Sequence, residues 1–128
     1  MNDIHIPAGI RTPEIQFRFS DKVFLIKGES YPEDVRKFYN EPIGSVAKHF
    51  AEPSEGLHLV IIELKYFNSS TAKILMDLFL MLETSSKIGN RIKVEWKYME
   101  GDDNMRDLGT EFSEELQTVA FELKSFAL

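Results

Sequence analysis

Hydrophobic residues recur in two rhythms along this chain, and the switches between them mark its elements. Ile15, Phe17 and Phe19 alternate with Gln16, Arg18 and Ser20, a period of two that predicts a half-buried β-strand. Ser20-Asp21 reads as a turn and Val23 to Lys27 as a second strand. So short a connection predicts a β-hairpin. Residues 1–13, ending in Thr12-Pro13, show neither rhythm and read as an irregular N-terminal arm.

Gly28-Glu29-Ser30-Tyr31-Pro32-Glu33 marks the next transition. Ser30 and Glu33 have the spacing of a capping box, in which each side chain satisfies a free backbone N–H of a first helical turn. Val35, Phe38, Tyr39, Ile43, Val46, Ala47 and Phe50 follow at helical spacing. Pro42 cannot donate to the carbonyl four residues back, so a kink or split is expected there. Pro53-Ser54-Glu55-Gly56 ends the helix.

Leu57 to Phe67 contains the unbroken run Leu59-Val60-Ile61-Ile62. A strand apolar on both faces belongs inside a sheet, most often a parallel one. Asn68-Ser69-Ser70-Thr71 then offers several N-cap oxygens, and a helix is expected to about Lys87, before Gly89-Asn90. Ile92, Val94, Trp96 and Tyr98 alternate with Lys93, Glu95 and Lys97, a strand with one wet face. The acidic loop Glu100-Gly101-Asp102-Asp103 leads into a helix from about Met105 to Leu116, and Val119 to Leu123 reads as a final edge strand. The order β-β-α-β-α-β-α-β predicts an α/β fold with a mixed, mostly parallel sheet, in one domain spanning residues 1–128.

Composition narrows the function. The chain has 128 residues, no cysteine and a net charge of −6. Disulfides, thiolate nucleophiles and Cys-ligated metals are thereby excluded. The acidic balance lacks the basic field that nucleic acid or an anionic membrane would reward, so neither is an expected partner. The N-terminus has no signal-peptide pattern, and the longest greasy stretch, Ile74 to Leu82, is interrupted by Asp77. A soluble cytoplasmic protein is expected.

Catalytic signatures are missing: no P-loop, no dinucleotide fingerprint, no H-E-x-x-H and no G-x-S-x-G occur. His5, His49 and His58 have no metal-ligand spacing and read as structural or solvated. Nothing asks for a cofactor or a metal. The informative place is Asn68-Ser69-Ser70-Thr71, because open α/β sheets gather ligands at the carboxyl ends of their strands. A helix N-terminus also welcomes negative charge. Physics alone leaves two readings open, a plain N-cap and a phosphoacceptor or anion site. On the following helix, Ile74, Leu75, Leu78, Phe79 and Leu82 share one arc, while Met76 and Leu80 fall among the polar residues opposite. These two are either scattered surface apolars or part of a docking patch beside the hydroxyl cluster.

The motifs resemble those of the SiaC family of bacterial regulatory phosphoproteins. Gly28-Glu29-Ser30-Tyr31-Pro32-Glu33 is similar to that family's G-x-S-Y-P-E segment, and Tyr66-Phe67-Asn68-Ser69-Ser70 to its Y-[FL]-N-[ST]-S strand end. Trp96-Lys97-Tyr98, Asp102 to Met105 and Gly109 to Phe112 resemble its W-x-Y and D-x-M-x-x-x-G-x-x-F region, and Thr12-Pro13 an early T-P. The resemblance spans nearly the whole chain in order. It implies a STAS-like fold, as in anti-sigma factor antagonists, and a non-enzymatic partner switch in c-di-GMP signalling and biofilm regulation. A serine/threonine kinase phosphorylates the hydroxyl after the Asn, a PP2C-type phosphatase removes the phosphate, and the unmodified form binds an effector such as a diguanylate cyclase. By position that hydroxyl is Ser69, with Ser70 and Thr71 as alternatives. The expected partner surface is Tyr31, Asn68, Ser69, Ser70, Lys73, Met76 and Leu80. Two rival readings are an anti-sigma factor antagonist and a small-ligand or anion-binding STAS-type module that needs no kinase.

Overall fold

The computed structural model describes residues 1–127. Nine elements follow in order: β1 (Ile4–Ile6), β2 (Glu14–Arg18), β3 (Val23–Ser30), α1 (Val35–Phe50), β4 (Leu57–Phe67), α2 (Ser69–Lys87), β5 (Arg91–Met99), α3 (Asp103–Ser113) and β6 (Ala120–Phe126). The six strands form one sheet in sequential order β1-β2-β3-β4-β5-β6. β1, β2 and β3 pair antiparallel, and β3 through β6 pair parallel. The predicted α/β order holds from β2 onward.

Each parallel step is a β-α-β crossover, which is almost always right-handed. Sequential right-handed crossovers place the helices on one side of the sheet. The register agrees: Phe24 pairs with Val60 and Val60 with Val94, while Ile26 pairs with Ile62 and Ile62 with Trp96, and all six are buried. Their strand neighbours Val23, Leu25, Leu59 and Ile61 face the other way and remain half-buried. β4 is thus an interior strand, but only one of its apolar faces is covered by helices.

Three expectations are corrected. The arm of residues 1–13 is not wholly irregular, because Ile4–Ile6 pairs with Ile15–Phe17 as an edge strand. Three residues are too few to display a period. Pro42 does not split α1, which runs uninterrupted through it. Only one backbone hydrogen bond is lost, and Pro42 itself is buried in the packed face. The Ser30–Glu33 capping box does not form, for the N-cap of α1 is Asp34, whose carboxylate accepts from the Lys37 amide. Ser30 is instead drawn inside as the last residue of β3, and Glu33 pairs with Arg11 at 2.6 Å.

A bulge sets the end of β4. Pairing passes from Gly28–Leu64 to Glu29–Tyr66, skipping Lys65, and Gly28 holds a φ of 121° that favours glycine. The shift turns Tyr66 outward and brings Phe67 against Trp96 and Phe112. It therefore fixes how the chain leaves the sheet and enters α2.

Candidate functional site

The site begins where β4 gives way to α2. Asn68 has extended backbone geometry and caps the helix, its side-chain oxygen accepting from the Thr71 amide at 3.0 Å. The Asn68 amide donates to the Ser30 carbonyl at 3.1 Å, tying the helix start to the end of β3. Ser69 and Ser70 are the first two residues of α2 and both are exposed. Their amides belong to the first-turn donors that a helix leaves without intrahelical acceptors. Asn68 takes only the Thr71 amide, so the cap and an anion-attracting end coexist.

Thr71 differs from its two neighbours. It is 0% exposed, and its hydroxyl lies 2.8 Å from Ser30 Oγ and 3.1 Å from the Ser30 carbonyl oxygen. Ser30 Oγ in turn lies 2.6 Å from the Tyr39 hydroxyl. Each hydroxyl has one proton, so the donations run from Tyr39 to Ser30, from Ser30 to Thr71 and from Thr71 to the Ser30 carbonyl. Burial pushes the Tyr39 phenol up to about 12, with its Ser30 hydrogen bond acting the other way, so it stays a neutral donor. Of the three adjacent hydroxyls, Ser69 and Ser70 face solvent and Thr71 is locked beneath them.

Around this point the structure gathers most of the expected partner residues. Tyr31 follows β3 directly, and its ring meets that of Tyr66 edge to face with centroids 5.7 Å apart. Tyr66 is 52% exposed. The Tyr31 hydroxyl donates to the Ile10 carbonyl and its amide to the Arg11 carbonyl, so the N-terminal arm crosses the same end of the sheet. Lys73 is exposed one turn into α2. Leu80, at 45% exposure, lies on the outer side of the helix as its phase predicts.

Met76 departs from expectation. It is half-buried against the core and lines a groove of about 510 Å³ between α2 and α3, with Ala72, Lys73, Leu108, Glu111, Phe112 and Glu115. Helical phase alone placed it on the wet side, but the phase of one helix does not reveal that another packs alongside. Sequence reasoning also missed Tyr66 and the α3 wall. Leu108 and Phe112, four apart on a short amphipathic helix, were the available signal for that wall.

The acidic loop has a structural job: Asp102 caps α3 by accepting from the Met105 amide at 3.0 Å. Gly109 on that helix lies so close to Trp96 that a Cβ there would come within 2.5 Å of the indole. Among the described residues no cluster of three or more His, Asp or Glu is placed to hold a metal, and no helix is long and apolar enough to cross a membrane.

Comparison with known proteins agrees with the architecture and with the motifs. A family model described as SiaC family regulatory phosphoprotein matches residues 6–126. An uncharacterised protein of Pseudomonas aeruginosa strain UCBPP-PA14 is 30% identical over 115 residues, covering 90% of each chain. The solved structure of SiaC of Pseudomonas aeruginosa is similar with a TM-score of 0.89 at 27% identity, over 98% of this chain and 100% of that one. A chain from the crystal structure of the diguanylate cyclase SiaD in complex with its activator SiaC, also from Pseudomonas aeruginosa, gives 0.90 at 27% identity, over 97% and 100%. This chain belongs to the SiaC family of regulatory phosphoproteins.

Proposed function

We propose that this protein is a phosphorylation-gated activator of a diguanylate cyclase, with Ser69 as the phosphoacceptor. It acts in the cytoplasm by binding, without chemistry of its own. A serine/threonine kinase and a PP2C-type phosphatase set its state. The observation that carries the reading is the exposed Ser69 hydroxyl at the first position of α2, directly after Asn68. The relative described as an activator of a cyclase supports the nature of the effector. Thr71 is disfavoured as acceptor because a kinase would have to unlock it from Ser30.

The gate follows from charge. A phosphate adds about −1.5 to −2 and three acceptor oxygens. At a helix N-terminus the fold tolerates it. Inside a partner contact the same dianion has to shed water, which costs several kcal/mol unless the partner supplies cations. The unmodified form is therefore the one that binds, through Asn68, Ser69, Ser70, Lys73, Met76, Leu80 and Tyr31.

The test has two arms. Phosphorylation by the cognate kinase and ATP is mapped by mass spectrometry, and modification solely at Ser70 or Thr71 refutes the assignment. Isothermal titration against a SiaD-type cyclase should find Ser69→Ala binding like wild type and Ser69→Asp at least tenfold weaker. Equal affinity of the phosphorylated and unphosphorylated proteins would remove the gate.

A further inference from the structure

Two histidines nine residues apart, one on α1 and one on β4, meet at the end of β4 opposite to Ser69. His49 Nε2, on the last turn of α1, lies 3.0 Å from His58 Nε2, and His58 Nδ1 lies 3.2 Å from the Arg91 carbonyl oxygen of β5. A carbonyl only accepts, so neutral His58 carries its proton on Nδ1 and offers Nε2 as an acceptor. His49 must then donate from Nε2, which leaves its own Nδ1 as the free lone pair of the pair. His58 is fully buried and His49 half-buried. Their surroundings are aromatic: Phe50 lies 4.9 Å from His58 and Phe19 lies 5.5 Å from His49, ring centre to ring centre, with Phe24 between them.

Positive charges act on the pair. Lys22, from the β2–β3 turn, acts on both rings, and the N-terminal amine acts on His49. From β5, Arg91 contributes its carbonyl. Burial holds both imidazoles below the ordinary histidine value, His49 further so through His58, Lys22 and the amine. For His58 the Arg91 carbonyl works in the opposite direction without reversing the shift.

We propose that His49 and His58 form an acid-operated latch, which fastens the C-terminal end of α1 to the start of β4 and opens when both rings carry a proton. The first proton enters at His49 Nδ1 and leaves the Nε2–H···Nε2 bond intact. The second has only His58 Nε2 to enter. It sets two N–H donors face to face and two like charges in an apolar setting with Lys22 close by. Opening therefore belongs to the second of two coupled steps. Ser69 lies at the far end of an eleven-residue strand, so the latch operates apart from the proposed phosphoacceptor.

The test uses the whole protein. Imidazole resonances are followed by NMR from about pH 8 to pH 5, and melting temperatures are recorded over the same range for wild type and His49→Gln. Glutamine supplies an N–H of similar reach, cannot charge, and can turn its oxygen toward a protonated His58. Both rings should titrate below about 6.5 in two separated steps, and wild type should lose at least twice as many degrees as His49→Gln between pH 7.5 and 5. His5 is common to both proteins, so its contribution cancels in the comparison. Equal losses, or two independent titrations at the ordinary histidine value, overturn the latch. Should His49→Gln fail to fold, amide exchange at Phe50 and Leu59 in wild type decides. Protection lost across the second step supports the latch, and protection unchanged across it overturns it.

Discussion

Three hydroxyl residues in a row, Ser69-Ser70-Thr71, have different fates because only the Thr71 hydroxyl finds partners on another element, the side chain and the carbonyl of Ser30 at the end of β3. Thr71→Val keeps the shape and removes the hydroxyl, leaving the Ser30 side chain short of an acceptor in a site without water access. Such a buried vacancy costs about 1–3 kcal/mol. Chemical denaturation should register that loss, while Thr71→Ser, which restores the hydroxyl, should recover most of it. An unchanged midpoint for Thr71→Val would mean that the hydroxyl chain contributes nothing net. None of this was legible in the sequence, where the run Asn68-Ser69-Ser70-Thr71 offers four equivalent cap oxygens. The position of Ser69 after a buried strand was legible. The inward aim of Thr71 depends on Ser30 and Tyr39, residues 41 and 32 positions away by subtraction of their numbers.

At the scale of elements, what α2 exposes decides what the site can bind. Leu80 is 45% exposed, so Leu80→Asp should change stability by no more than about 0.5 kcal/mol. If this face docks the cyclase, the same variant places a charge in a desolvated contact, and affinity should fall at least tenfold. Met76 packs on the core and along α3, so Met76→Asp should lower the melting temperature as well. Measuring melting and titration together separates docking from packing, and a stable Leu80→Asp that binds normally would exclude Leu80 from the interface. The elements themselves were largely legible. Alternation at Ile15, Phe17 and Phe19 gave the β2–β3 hairpin, and the greasy run from Leu57 gave an interior strand. What failed were features that depend on context. Pro42 was read by its missing donor, whereas packing of the surrounding turns carries α1 through it. Ser30 was read as a cap by local spacing, whereas the bond from Tyr39 places it in the core.

For the molecule as a whole, a sheet covered by helices on one side must secure its last strand without a second layer behind it. Glu83 of α2 does part of this. Its carboxylate is buried at 7% exposure and accepts from the amides of Gln117, Thr118 and Val119, the turn that delivers β6 to the sheet edge. Desolvation alone would raise its pKa, but the hydrogen bonds from that turn outweigh it and hold the group below the ordinary carboxylate value. A carboxyl whose folded pKa is depressed contributes stability that is complete above its unfolded value, near 4.5, and is lost as pH falls through the folded value. The histidine pair acts in a separate window, since stability tied to a neutral imidazole begins to fall below about 6.5. Wild type should therefore show two acid limbs in its denaturant midpoint, an upper one from the imidazoles and a lower one that includes Glu83. Glu83→Gln offers one acceptor oxygen in place of two and carries no charge, so it should be less stable than wild type at pH 7. On acidification its upper limb should remain, while its lower limb flattens and its midpoint converges with that of wild type once the carboxyl of Glu83 is protonated. Midpoints that stay equally far apart at pH 7 and at about pH 3 would mean that Glu83 supports the turn by shape, and that its charge contributes nothing to holding β6.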